Sequence, residues 1–152
     1  MALYLENTAF GCGAFELTGI TAAAGLVYAG QAEGAQAKEA TAKAIDLSKW
    51  SGNYKDRSWI RINTVKQIVG PTKYVDIYVY YCKTDATTTA NVTCYDMHRI
   101  PISVINGAKT TPIEISLPSV GGTDCEFVRL GVSADAAVTA GAIRATIEAT
   151  RL

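Results

Sequence analysis

The stretch RSWIRINTVKQIVGPTKYVDIYVYYC, residues 57–82, decides the fold class of this chain. Its first half sets Ile60, Ile62 and Thr64 on one side of an extended backbone and Trp59, Arg61 and Asn63 on the other. Period-two alternation fits a half-buried strand, whereas a helix repeats its apolar positions every three to four residues. Gly70 and Pro71 in GPTK then supply a turn, and YVDIYVYYC resumes the alternation. The spacing predicts a β-hairpin. In its second strand Val75, Ile77, Val79 and Tyr81 make a core side, while Tyr74, Asp76, Tyr78 and Tyr80 line an outer, tyrosine-rich side.

The same grammar runs to the C-terminal end. DATTTANVT reads as a polar loop, RIPISVI as an edge-like strand because Pro101 removes a ladder donor, NGAKTT as a turn, and PIEISL as the partner strand. PSVGGTD reads as a longer loop. CEFVRLGVS then sets Phe127, Arg129 and Gly131 against Glu126, Val128, Leu130 and Val132. AIRATIEATRL has a composition that a helix tolerates, yet Ile143, Ala145, Ile147 and Ala149 alternate with Arg144, Thr146, Glu148 and Thr150. Period prevails over composition and predicts a closing hairpin of residues 126–133 with 142–151, joined by ADAAVTAG. About six short strands with no helix-length segment between them predict a mainly β body over residues 45–152, an antiparallel β-sandwich or small barrel.

Residues 1–44 are written differently. They hold thirteen Ala and six Gly, with bulky groups spaced out as Tyr4, Leu5, Phe10, Phe15, Leu26 and Tyr28. Such a segment buries little against itself, and ordering it costs about 1–2 kcal/mol per residue, which contacts elsewhere must offset. The expectation is an extended N-terminal arm packed largely on other subunits. A short helix is expected over residues 31–44, where QAEGAQAKEATAKA combines strong helix formers with an i,i+4 pair of Glu39 and Lys43.

Composition narrows the function classes. A chain of 152 residues fits one domain with an appendage, and its 14 Lys+Arg balance 14 Asp+Glu, so no basic field attracts nucleic acid or an anionic membrane. The longest uncharged run, between Glu16 and Glu33, is shorter than the roughly 20 apolar residues of a membrane span. MALYLEN lacks a basic and then apolar leader pattern, so synthesis in the cytoplasm is expected, and the NVT sequon at Asn91 reads as coincidence. Cys12, Cys82, Cys94 and Cys125 show no CxxC and read as buried free thiols, with one bridge between Cys82 and Cys94 left open.

Chemistry is sparse. The single histidine, His98, has Cys94 and Asp96 nearby, but zinc would also need Cys82 or Cys125 alongside, and the plainer reading is a polar residue at the start of a strand. GxSxG, GxGxxG and the phosphate-loop pattern are missing, and Asp76, Glu114, Asp124, Glu126 and Glu148 are scattered. The expectation is a protein that is not an enzyme and holds no cofactor or metal. Trp50, Tyr54 and Trp59, extended by Tyr74, Tyr78 and Tyr80, admit either a sugar-binding platform or contact anchors, and aromatic energetics favour core or contact.

The Ala/Gly-rich arm, the compact β body and the closing EFVRLGVSADAAVTAGAIRATIEATRL together resemble the small capsid decoration (cement) proteins of tailed bacteriophages and similar small virion proteins. The resemblance implies a non-enzymatic structural protein, made in the host cytoplasm and resident on the capsid surface of the virion, that stabilises the shell by bridging capsid subunits. It implies as partners the major capsid protein and copies of the chain itself, as a dimer or trimer, with no nucleic acid or membrane. No functional residue of the family carries over. The residues expected at subunit or capsid contacts are Tyr4, Leu5, Phe10, Phe15, Leu26, Tyr28, Trp50, Tyr54 and Trp59. The alternatives are a carbohydrate-binding or host-recognition module on a virion, or a tail or head-completion protein.

Overall fold

The computed structural model of the chain describes residues 2–3, 9–20, 45–46, 58–84, 92–117, 125 and 127–150. In chain order the elements are β1 (Ala2–Leu3), β2 (Ala9–Glu16), β3 (Ile45–Asp46), β4 (Ser58–Val69), β5 (Tyr74–Cys82), β6 (Val92–Pro101), α1 (Ile102–Gly107), β7 (Ile113–Ser116), β8 (Phe127–Ala134) and β9 (Ala140–Thr150). The fold is mainly β, with two antiparallel sheets. One is built around β9-β4-β7, with β1 and β2 on the free side of β9; the other is built around β8-β5-β6, with β3 on the free side of β8. Among the described residues neither sheet closes into a barrel.

The alternation sorts side chains as the sequence suggests. Ile60 and Ile62 of β4, Ile115 of β7 and Ile143, Ala145 and Ile147 of β9 share one buried cluster with Val75, Ile77 and Val79 of β5 and Val128, Leu130 and Val132 of β8. Each large apolar side chain in it contributes roughly 1.5–3 kcal/mol by leaving water.

The partners differ from expectation. β4 pairs with β9 and β7, while β5 pairs with β6 and β8, so residues 57–82 do not form a hairpin. β8 and β9 also stand in different sheets, and the closing hairpin is likewise absent. The physical reason is that alternation fixes which residues point inward and is blind to the partner. A strand that faces its successor across a core has the same period as one lying beside it. Among the described strands after β2, only the step from β5 to β6 joins hydrogen-bonded neighbours; the others pass back and forth between the sheets.

Two of these crossings, the corner from β4 to β5 at residues 70–73 and the corner from β8 to β9 at residues 135–139, are docked on each other. The Asp135 carboxylate accepts from the Thr72 hydroxyl at 2.8 Å and from the backbone N–H groups of Lys73 at 2.8 Å and Tyr74 at 3.2 Å. Thr139 N–H donates to the Val69 carbonyl at 2.8 Å. Gly70 has φ +145°, and a Cβ there would stand 2.6 Å from the Ala137 carbonyl oxygen, so the close approach excludes any side chain.

RIPISVI is not one strand. Pro101 ends β6, and the residues after it turn into α1, whose Ile105 is buried. The helix docks where the β4 ladder shifts register, between Thr64 and Val69. There the Asn106 amide imitates a neighbouring strand: its Oδ1 accepts from Ile68 N–H at 2.8 Å and its Nδ2 donates to the Ile68 carbonyl at 3.1 Å. The Thr64 hydroxyl donates to the Ile105 carbonyl. PIEISL accordingly pairs, as β7, with β4 and not with a strand at residues 99–105.

Part of the expected arm belongs to the body. β2 pairs with β9, and Leu17 and Ile20 sit in the shared core. Leu17 N–H donates to the Gly141 carbonyl at 2.9 Å, Gly19 N–H to Val138 at 2.8 Å, and Val138 N–H to Ile20 at 3.0 Å. A strand added to an existing sheet is held by its backbone ladder, so scarcity of bulky side chains does not force it onto another subunit. The helix expected over residues 31–44 lies outside the described residues, as does the rest of the arm from residue 21.

Desolvation pushes the Asp135 carboxyl up, but the donors from Thr72, Lys73 and Tyr74 and its own backbone N–H outweigh it and hold the group below its ordinary value. A carboxyl depressed in the folded state contributes its stability in full above the unfolded value and loses it as pH falls through the folded one. Asp135→Asn therefore lowers Tm by several degrees at pH 7, and the gap to the native protein narrows below about pH 4 in melting curves recorded across that range. An equal gap at pH 3 and pH 7 contradicts the role of the charge. Gly70→Ala destabilises by about 1 kcal/mol or more in denaturant titration.

Candidate functional site

β5 is the middle strand of its sheet, and its residues facing away from the shared core are Tyr74, Asp76, Tyr78, Tyr80 and Cys82. Residues directly opposite on antiparallel strands share a face. The register therefore adds Tyr95, Met97 and Arg99 of β6 on one flank and Arg129, Gly131 and Ser133 of β8 on the other. The outcome is an aromatic field. The Tyr78 and Tyr80 rings stack with centroids 5.9 Å apart and planes within 3°, and Tyr95 tilts against them at 6.0 and 6.1 Å.

Burial divides this field in two. Toward β8, Tyr80 and Cys82 are fully buried and pack with Tyr78 and Phe127 in a second apolar cluster, and Arg129 is 1% exposed beside Tyr80. Toward the β6 edge, Tyr95 is 52% and Met97 48% exposed. The first half is structure; the second is available surface.

A charged clamp closes one end. The Arg99 guanidinium lies 3.8 Å above the centre of the Tyr74 ring and gives Nε and Nη2 to the two Asp76 carboxylate oxygens at 2.9 and 3.1 Å. The fork-on-carboxylate geometry fixes the arginine plane, and stacking on tyrosine adds a cation–π contact. The hydrogen bond to Asp76, with the nearby negative charge, raises the Arg99 pKa above its ordinary value despite some desolvation. The cation is thus held in place at the margin of the exposed aromatics.

The expected contact residues are scattered. Trp59 lies half-buried on β4, on the outward side of the other sheet, with its indole N–H buried and without an acceptor. It does not join Tyr74, Tyr78 and Tyr80 in one platform. Phe10 and Phe15 fall in β2, whereas Tyr4, Leu5, Leu26, Tyr28, Trp50 and Tyr54 lie outside the described residues. His98 sits well inside β6, opposite Ile77, and not at a strand start. Cys82 and Cys125 are buried, as expected, whereas the side chains of Cys12 and Cys94 lie outside the described residues. Among the described residues no three His, Cys, Asp or Glu side chains converge as metal ligands. Asp76 serves Arg99, and Glu148 lies 3.6 Å from Arg61 on the other sheet.

The chain matches no protein-family model, no curated protein and no solved structure. Its own geometry therefore carries the functional argument. Sequence reasoning located Tyr74, Tyr78 and Tyr80 but missed Tyr95 and Met97. The signal is present in CYDMHRIP, where Tyr95, Met97 and Arg99 alternate, but Cys94, Asp96 and His98 interleave with them and give the segment the look of a metal-ligand cluster.

The division of the field has a measurable signature. Tyr80→Ala costs about 3–5 kcal/mol in urea titration, the range for deleting a buried aromatic, whereas Tyr95→Ala stays within about 1 kcal/mol. Comparable losses for the two contradict the split between structural and available tyrosines.

Proposed function

We propose that this chain is a non-enzymatic structural protein with a β-sandwich body, a capsid decoration protein of a tailed bacteriophage, working through contact and not through catalysis. The observation that carries the contact reading is the exposed half of the aromatic field: Tyr95 and Met97 beside the Arg99 fork and Tyr74. Tyr, Met and Arg are the residue types enriched in protein interfaces, because Tyr offers large contact area with few rotatable bonds, Met an adaptable polarizable chain, and Arg several donors at once. The capsid as partner rests on the resemblance of the whole chain to small phage decoration proteins. A balance of 14 basic and 14 acidic residues agrees with a surface that meets protein and not polyanion.

In this reading the exposed aromatics and residues of the N-terminal segment beyond Ile20 make contact with the major capsid protein and with other copies, and the protein acts in the virion after synthesis in the host cytoplasm. A carbohydrate-binding or host-recognition role, or a place in the tail or head completion, would use the same body. The sugar platform drawn from Trp59 together with the tyrosines has less support, since these residues stand on different sheets.

Cosedimentation with capsids of the phage that encodes the chain tests the reading. Native protein pellets with the shells, and Tyr95→Ser combined with Met97→Ser lowers the bound fraction at least about tenfold, the loss expected on removing central apolar anchors. Native protein that stays wholly in the supernatant overturns the capsid assignment, and undiminished binding by the double variant overturns the role of this face.

A further inference from the structure

Among the described residues β6 (Val92–Pro101) is the outermost strand of its sheet and is hydrogen-bonded on one side only, to β5. Such an edge offers a row of free backbone donors and acceptors, and proteins ordinarily blunt it with charges or cover it. Here the side chains follow an order that repels some partners and invites one. On the tyrosine side stand Tyr95, Met97 and Arg99, and on the opposite side Asp96 and His98. Tyr95, Asp96, Met97 and Arg99 are exposed and His98 is half-buried.

Read outward from Met97 in both directions, the sequence is self-complementary. Asp96 mirrors His98, an acceptor against a donor, and Tyr95 mirrors Arg99, a ring against a cation. We infer that β6 pairs antiparallel with β6 of a second copy, about a two-fold axis through Met97 normal to the sheet. In that register Asp96 of each copy lies opposite His98 of the other, and Tyr95 lies opposite Arg99, whose guanidinium is already fixed by Asp76 and stacked on Tyr74. Asp96 keeps capacity for this partner, since within its own chain it accepts from the Tyr81 hydroxyl at 3.4 Å through one oxygen.

The register is specified by what its neighbours would cost. A two-fold normal to the sheet preserves faces, so only residues of like parity can be opposed. Moving the axis by one residue sets Asp96 against Asp96 of the other copy, or His98 against His98 with Asp96 facing Ile100. Two carboxylates directly opposite destabilise a strand pair, and in the other register each Asp96 faces an aliphatic side chain and loses its donor. Pairing about Met97 makes one sheet running through both copies and brings their exposed aromatics into a single surface. The inference stands on β6 alone and does not depend on the capsid reading.

Sedimentation equilibrium of the purified full chain, with no capsid present, tests it. The native protein shows a monomer–dimer equilibrium. Asp96→Lys and His98→Glu each weaken it about tenfold, and the two combined restore it, because the pair is reversed and not lost. Met97→Cys supplies a second readout: opposed residues on antiparallel strands have Cα atoms about 4.5–5.5 Å apart, within disulfide reach, so mild oxidation gives a covalent dimer. Val104→Cys on exposed α1 serves as the control and stays at the background set by the native cysteines. A native protein that is monomeric throughout, a double variant no more dimeric than the singles, or Met97→Cys cross-linking no faster than Val104→Cys overturns the proposal.

Discussion

The body depends on one carboxylate. Asp135 gathers the donors of residues 72–74 across more than sixty positions of sequence and so ties the corner that leaves β4 to the corner that leaves β8. Each corner hands the chain from one sheet to the other. Without the tie, nothing local dictates that the strands on either side of GPTK should face each other across a core when they could lie side by side. Gly70 contributes from the opposite direction, because only a residue without Cβ lets the two corners approach this closely. Charge and space together choose the topology that the apolar pattern leaves open.

With the sheets so placed, β5 is flanked on both sides and its two faces serve different ends. Val75, Ile77 and Val79 go to the common core, while Tyr78 and Tyr80 begin an outer cluster that is sealed near β8 and open near β6. The gradient of exposure across three neighbouring tyrosines is a better guide to function than their number. A ring that is wholly buried holds the sheet, and one half open to water can meet a partner. The Arg99 fork belongs to the open side, where a cation with its geometry already fixed loses little freedom on binding.

Much of this was legible in the sequence. Ile60 with Ile62, Val75 with Ile77 and Val79, and Ile143 with Ile147 announce their strands and their inward faces by period alone. What period cannot carry is pairing, and both expected hairpins failed for that reason. Asp135 reads as an ordinary loop residue in ADAAVTAG because its partners are distant in sequence, and Asn106 reads as half of an Asn-Gly turn although its amide completes the β4 ladder. The N-terminal segment misled through composition: AFGCGAFE looks too slight to pack, yet it adds to an edge that β9 already presents. The tyrosine side of β5 was visible in YVDIYVYYC, whereas Tyr95 and Met97 stayed hidden in a segment short of β-branched residues.

The alternation of the chain between sheets also sets the order in which the molecule can assemble. β9 is flanked by β4 on one side and by β1 and β2 on the other, yet it leaves the ribosome after every other strand of this body. Until then β2 and β4 have lost their shared neighbour, and only β5 with β6 can pair early as a local unit. Nearly every other contact closes a long loop, which makes for slow folding and prolonged exposure of unpaired strands during synthesis. That interval, more than the stability of the finished fold, sets the risk of aggregation.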